Sequence, residues 1–498
     1  MSPRLLFGML LGALAMSACS GATGVLPGDA VIPPEVGAPE LSVIVLAADD
    51  LVRIDSSVTA DGAPAPFNPD GVPTLVWEGD PITIDVEAEG FEPWTFEVEE
   101  YPEAGRIEFR LEPVVLQGIV TTDKGRPLPG ATIVLGDATD TTDNEGRYAL
   151  ERAVPGSILI TRPAWEPAEF PWDGSLSQYD VSMNPTIVRA LRVGPEDLLD
   201  GDRWDTILSL ADISGINGLA VDLKTEDGTV VYPTEVEVAN AIGAVSSFFD
   251  ARQVVADADE HDLYLIGRIG VFQDDFYAAE FPDSAVVSET GELWRSRNGY
   301  AWLDPSDPTS YEYSIALAEE ACRLGFDEIQ FDHVSYPFGG DVSSATFDGA
   351  YNQEVRVASI AAFLDRAYSV LHPMSCTVST TILGIVLESN ADEGVGQRPG
   401  TMSRIVDVLS PTLYTTNYGS GWKGFEDPNA HAIEIVTTAI AGGNGKLDGH
   451  GYLRPWLQTW TITAADQRAV QSSVTDDGMG WLLWSNNGSY SADALPPR

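Results

Sequence analysis

The stretch Gly325–Phe338 reads GFDEIQFDHVSYPF. Ile329 and Phe331 alternate with Glu328, Gln330 and Asp332, giving a short strand with one apolar and one polar face. Successive side chains of a strand point to opposite sides of its sheet, so the two faces meet different surroundings. A polar row that ends in a carboxylate suits solvent, or the mouth of a barrel on which several such strands converge. The rest of the chain decides between the two.

Seven more segments of strand character surround this one: IVRALRV, INGLAVDLK, LYLIGRIGVF, CTVSTTILGI, DVLSPTLYT, YLRPWLQTW and GWLLWSN. Helical stretches, such as Thr309–Leu324 and Gln353–Leu371, lie between most of them. Alternating strands and helices predict βα units and a parallel sheet, and eight units over residues 186–498 predict a (β/α)8 TIM-type barrel. A doubly wound open sheet is the alternative, but no glycine-rich phosphate loop follows the first strand.

Upstream the texture is different. Short alternating runs separated by turn residues, from LSVIVLA to RIEFRLEP, predict a β-sandwich-like module over residues 41–113. A second sandwich is expected over 114–185, where Asp143, Asn144 and Gly146 supply turn chemistry between strands. Residues 20–40, rich in Gly, Pro and Ala, read as a flexible tether. Residues 1–19 combine Arg4, an apolar run and the small residues before Cys19, the pattern of a secretory signal. The placement of Cys19 resembles a bacterial lipoprotein signal, which implies lipidation there, anchoring in the cell envelope, and outer-membrane sorting in a Gram-negative cell. A plain cleaved signal is the alternative.

Composition narrows the function classes. With 27 Lys and Arg against 76 Asp and Glu, the formal charge is -49. Such a surface repels phosphate backbones and anionic lipid, so nucleic acid is excluded as a partner and contact with the membrane is expected only through the N-terminal anchor. Cys322 and Cys376 are flanked by apolar or small residues; buried free thiols are expected, with pairing in an oxidising compartment as the alternative. The five histidines show no metal-ligand spacing, so neither a metal nor a cofactor is expected. Nothing in the sequence speaks to oligomeric state.

Parity along the barrel strands sorts the side chains. Leu219, Val221, Leu265, Ile269, Ile329, Phe331, Leu409 and Leu413 are expected to face the helices. Asp222, Lys224, Arg268, Asp332, Tyr414, Gln458, Trp460, Trp484 and Asn486 then fall on the inward side near strand C-termini. So many polar groups are costly to bury unless they pair or bind something. Tryptophans beside carboxylates, amides and tyrosine suggest a carbohydrate, whose ring faces stack on aromatics while its hydroxyls form hydrogen bonds. Each residue has a plainer use alone: a strand-end Asp often caps a helix, Asp222 and Lys224 can neutralise each other, and Trp456 can be core.

Two resemblances add to this. LQGIVTTDKGRPLPGATIVL and TTDNEGRY resemble the carboxypeptidase regulatory-like β-sandwich family, which implies an accessory module. LAVDLKTEDGTVVYP, GRIGVFQD, LWRSRNGYAWLDP, GFDEIQFDHVSYP, LRPWLQTW and GWLLWSNN, in that order, resemble the glycoside hydrolase domains of bacterial secreted and lipid-anchored proteins. The resemblance implies hydrolysis of O-glycosyl bonds in an extracellular poly- or oligosaccharide by a pair of carboxylates, with Asp332 matching the aspartate of the family's FDYVRFP motif. His333 and Ser335 depart from that motif, and Thr381 stands where relatives often carry an acid.

On this basis Asp332 is the expected nucleophile or base, with Asp222 or Glu388 as its partner. Lys224, Arg268, Trp302, Tyr414, Gln458, Trp460, Trp484 and Asn486 are the expected substrate-binding residues. Asp274 and Asp304 are placed in loops able to close over substrate, and Tyr418 and Trp422 in a rim loop. The rival is a carbohydrate-binding surface lipoprotein without catalysis, which Thr381 favours; a structural adhesin is a third class.

Overall fold

The computed structural model describes residues 38–475 and 480–498; Cys19 and the signal and tether segments up to residue 37 lie outside them. The chain divides into two compact units. The first holds two small sheets: strands Thr74–Val76, Glu40–Ala47 and Arg106–Leu111 in one, and Ala63–Pro64, Ser57–Ala60, Ile82–Glu87 and Trp94–Val98 in the other. Leu41, Val43, Val45 and Ala47 alternate inward along one strand, and Ile82, Ile84 and Val86 along another, which is the burial pattern of a sandwich.

The second unit contains the second sandwich and the barrel. The sandwich pairs a sheet of Ala138–Thr141, Thr132–Leu135, Gly156–Thr161 and Ala168–Trp172 with one of Arg147–Glu151, Val115–Thr122 and Val181–Met183. The barrel strands are β1 (Arg189–Val193), β2 (Gly218–Lys224), β3 (Tyr264–Gly270), β4 (Glu328–Asp332), β5 (Thr377–Leu383), β6 (Val408–Thr412), β7 (Tyr452–Leu453 and Trp456–Gln458) and β8 (Trp481–Trp484). All pairings are parallel, and β8 returns to pair with β1, closing the barrel. Pro455 interrupts β7, since a proline has no N–H to give the ladder.

Strand β4 shows why the fold takes this form. The helix Glu312–Leu324 before it ends on Gly325, whose φ of 114° is the left-handed conformation that glycine adopts at little cost. Ile329 and Phe331 are fully buried against the helix layer, with the Phe331 ring edge-on to Phe363 of the helix Gln353–Leu371. Gln330 points the other way and is bonded across the interior to Trp456 Nε1 at 2.8 Å and Ser410 Oγ at 3.0 Å. Deeper still, Glu328 is ion-paired with Arg454 and accepts from Tyr264 Oη at 3.1 Å. The barrel interior is thus polar on one side and apolar on the other, where Ala190, Ala220, Ile266 and Leu482 pack beside Trp456.

The cysteines correct one expectation: Cys322 and Cys376 form a disulfide between the helix before β4 and the start of β5. Apolar flanks do not distinguish a buried thiol from a buried disulfide; proximity across the βα layer decides, and the sequence does not display it. Closing a loop of 54 residues restricts the unfolded chain.

The second sandwich is joined to the N-terminal end of the barrel, away from the mouth. Arg162 reaches Asp407, just before β6, at 2.7 Å with both side chains fully buried, and also donates to Tyr368 Oη at 2.9 Å. Tyr452 Oη donates to the carbonyls of Ala164 and Thr186. His450 and His372 complete the junction, His372 stacked on Tyr368. Burial pushes the Asp407 carboxyl up, but Arg162 and His450 outweigh it and hold it at about 2. Burial lowers His372 to about 4.

Both shifts destabilise the junction in acid. Asp407 contributes its stability above the unfolded carboxylate value of ~3.9 and loses it as pH falls toward 2; His372, taking its proton more readily unfolded, weakens the fold as pH drops from ~6.5 to 4. We expect the melting temperature to fall between pH 7 and 4, and His372→Gln to flatten the upper part of that decline in thermal unfolding of the full chain. In denaturant, Cys322→Ser with Cys376→Ser should cost about 2–4 kcal/mol.

Candidate functional site

Arg268, pointing inward from β3, organises the mouth. Its Nη1 donates to Asp222 Oδ1 at 2.8 Å, and its Nη2 donates to Glu226 Oε1 at 2.9 Å and also to Asp332. Arg192 from β1 binds the other oxygen of Asp222. Both guanidiniums lie over the Trp484 ring, at 4.1 and 4.7 Å from its centroid. A buried charge is tolerated only when it is paired and hydrogen-bonded, and each of these is.

Above this layer lies a cavity of about 180 Å3. Glu226, Arg268, Asp332 and His333 line its ionisable side and Tyr414 and Trp484 its aromatic side, with Phe338, Ser335 and Thr381 among the remainder. Asp332 accepts from Arg268, from Thr381 Oγ1 and from the His333 N–H at 2.7 Å. Burial pushes its carboxyl up, but Arg268, His333 and these donors prevail and hold it well below the ordinary carboxylate range. Glu226 behaves alike: burial raises it, Arg268 and His333 bring it down to about 2. Tyr414, raised by burial and by Asp332, keeps its hydroxyl proton.

The structure brings together Asp332, Arg268, Tyr414 and Trp484 of the expected set, with Asp222 directly beneath them. Asp222 is wholly buried, bridging the two arginines below the cavity. Trp460 packs against Tyr414 at 5.3 Å on the rim. Gln458 accepts from the Thr416 N–H and donates to the Trp460 carbonyl, tying two rim loops to each other. Asn486 is exposed just beyond β8.

Five expected positions are corrected. Lys224 turns away from the mouth: the β2–β3 register slips between Asp222 and Lys224, and a one-residue slip moves the side chain to the opposite face. There it pairs with Asp274 at 2.7 Å and lies over the Tyr313 ring, fully buried. Trp302 has no exposed surface with which to stack on a sugar; it is packed edge-on against Phe338 and His333. Glu388 is ion-paired with Lys423 outside the cavity lining. Asp274 and Asp304 are likewise buried braces, Asp274 capping the helix Asp275–Glu280 and Asp304 accepting from the Ser306 and Asp348 N–H groups. Tyr418 and Trp422 lie against each other in their loop at 5.0 Å.

Glu226, His333 and Arg192 are the residues that strand parity missed. Glu226 lies two residues past the end of β2, in the turn TEDG, where alternation no longer specifies a direction. Glu226, Asp332 and His333 also present three possible ligand atoms within 4.8 Å of one another. The Arg268 guanidinium, bonded to both carboxylates, already supplies their cation, so we do not assign them to a metal.

An eight-stranded parallel barrel with paired carboxylates and aromatic rings at its C-terminal mouth is the arrangement of a glycoside hydrolase-like domain. The chain belongs to the family described as "Putative glycosyl hydrolase domain", whose model matches residues 194–490. A curated relative, the K8-specific capsule depolymerase 1 of Klebsiella phage K5-4, is 26% identical over 184 residues, covering 34% of this chain and 24% of the relative. This chain therefore spans about a quarter of that protein. A hypothetical protein from Ruminiclostridium thermocellum is 31% identical over 38% of this chain and 96% of its own, with a TM-score of 0.35. The PgaB (BpsB) glycoside hydrolase domain of Bordetella bronchiseptica is 12% identical over 61% of this chain and 95% of its own, with a TM-score of 0.45.

The charge array makes a direct prediction. In Arg268→Gln the Glu226 titration, followed by carboxyl NMR, should move up from about 2 toward or beyond the ordinary ~4.3. A Glu226 titration unchanged in that variant contradicts the role given to Arg268.

Proposed function

We propose that the barrel hydrolyses glycosidic bonds in an extracellular poly- or oligosaccharide, with Asp332 as nucleophile and Glu226 as the second carboxylate. The observation that carries this is the placement of Glu226 and Asp332 on one guanidinium, facing one cavity, with oxygens within 4.8 Å of each other. Among the described residues no other carboxylate lines that cavity. Glu226 thereby takes the place for which Asp222 and Glu388 were considered: Asp222 is sealed beneath Arg268, and Glu388 belongs to Lys423.

The roles follow from the electrostatics. Asp332 is ionised and held in one orientation, as an attacking carboxylate must be. Glu226 is a second fixed negative charge beside the anomeric carbon, where positive charge develops in an oxocarbenium-like transition state. Tyr414 and Trp484 offer ring faces to the apolar side of a sugar. A carboxylate spacing near 5 Å belongs to retaining enzymes; inverting pairs stand ~6.5–9.5 Å apart to admit a water.

One observation favours a second reading, carbohydrate binding without cleavage: both cavity carboxylates are held ionised by Arg268, and Thr381 occupies the fifth-strand position. We also propose that the protein is exported and lipid-anchored at Cys19. The apolar N-terminal run and the Cys322–Cys376 disulfide support that address. No helix among the described residues is long and apolar enough to cross a membrane.

Two measurements separate the readings. In a polysaccharide screen, the wild type should release reducing ends, Asp332→Asn should lose at least ~10³-fold in kcat/KM without loss of fold, and NMR of the first product should show retained anomeric configuration. Saturable binding with no released ends decides for the non-catalytic reading.

A further inference from the structure

A glycosidase needs a proton for the departing oxygen, and the two carboxylates of this cavity are poor sources of it. Arg268 bonds both and keeps both ionised. Tyr414 holds its proton too tightly to give it up near neutral pH. One further ionisable side chain lines the cavity, that of His333; the rest of its polar lining is hydroxyls and an amide.

His333 is placed with care. Its Nε2 stands 3.9 Å from Asp332 Oδ2, and it lies within 4.8 Å of a Glu226 oxygen as well. Trp302, fully buried, sets an edge-on ring against the imidazole. The backbone at His333 is left-handed, with φ of 52°, and its N–H stays bonded to Asp332 Oδ1. Non-glycine residues in this region carry strain that persists where the surroundings dictate the conformation, as at functional sites. The carboxylates of Asp332 and Glu226 and the edge-on Trp302 ring lie next to the imidazole, which shares the cavity lining with the Arg268 guanidinium, Tyr414, Trp484 and Phe338. Asp222, Glu226 and Asp332 set three carboxylates against the two guanidiniums of Arg192 and Arg268, leaving one negative charge that an imidazolium would neutralise.

We propose that His333, as imidazolium, is the acid that protonates the departing glycosidic oxygen, and as imidazole the base that activates water in the second step. The inference rests on Asp332 as nucleophile. In the first step an Asp332 oxygen bonds to the anomeric carbon and the carbon–oxygen bond to the aglycone breaks. The electron pair stays on that oxygen, which takes the Nε2 proton. In the second step water adds to the anomeric carbon, its proton returns to Nε2, and Asp332 leaves as carboxylate. The separation of 3.9 Å is shorter than the ~5–5.5 Å of paired groups in retaining enzymes, so admitting a sugar asks for about an ångström of opening.

The test uses the full chain and leaving groups of different acidity. Because asparagine tolerates the left-handed backbone, His333→Asn removes the proton without breaking the turn. Wild type and variant are compared on 2,4-dinitrophenyl and 4-methoxyphenyl glycosides across a panel of sugars. The dinitrophenolate leaves without a proton; the methoxyphenolate needs one. His333→Asn should lose roughly 10²–10⁴-fold in kcat/KM on the methoxyphenyl substrate and less than ~10-fold on the dinitrophenyl one. It should also lose the limb on which wild-type activity falls as pH rises. Equal losses on both substrates, or no loss, overturn the role of His333, as does that leaving-group pattern in Glu226→Gln instead. Full activity of Asp332→Asn, or no turnover of any panel member by the wild type, sinks the hydrolase reading itself and this inference with it.

Discussion

Everything at the barrel mouth depends on the guanidinium of Arg268. It is buried, it meets three carboxylates, and it rests with Arg192 against the face of Trp484. A lysine could not replace it, because a single ammonium lacks the planar fork that reaches Asp222 on one side and Glu226 with Asp332 on the other. Removing it would leave Asp222 with Arg192 alone and Glu226 and Asp332 with no guanidinium between them, a loss of about 3–5 kcal/mol by analogy with other broken buried pairs. The same array fixes the chemistry: it makes Asp332 an oriented anion and denies Glu226 the proton that a second carboxylate would ordinarily carry.

The fold delivers this array by simple means. Strands β1, β2, β3 and β4 are adjacent in the closed sheet, so Arg192, Asp222, Arg268 and Asp332 come from neighbouring strands, Asp222 level with Arg268 and Asp332 one inward position further along than Arg268. Register pairs Asp222 with Arg268, and Gly270 with Asp332. Beneath, Glu328 with Arg454 and Gln330 with Trp456 satisfy the polar interior, so the mouth residues stand on a packed floor. The second sandwich closes on the opposite end of the barrel through Arg162 and Asp407, which gives it a supporting place remote from the cavity.

Much of this was legible in the sequence. All eight barrel strands overlap segments chosen by alternation, and parity correctly sent Ile329 and Phe331 outward and Arg268 inward. Parity failed where the strand stops being regular. The slip after Asp222 reversed Lys224, and Glu226 lies beyond the strand, in a turn whose direction no periodicity encodes. Trp302 shows a different limit: composition identifies an aromatic but not whether the loop folds over it. The disulfide and the Glu388–Lys423 pair are contacts between distant segments, which a single sequence does not reveal.

The most direct measurement of the central claim is covalent trapping. Incubation of the full chain with 2,4-dinitrophenyl 2-deoxy-2-fluoro-glycosides, followed by digestion and mass spectrometry, should find one fluorosugar on the peptide containing Asp332 and none in Asp332→Asn. Label on Glu226, Asp222 or Glu388 instead, or sustained turnover of the parent glycoside with no trapped adduct, would contradict Asp332 as the nucleophile.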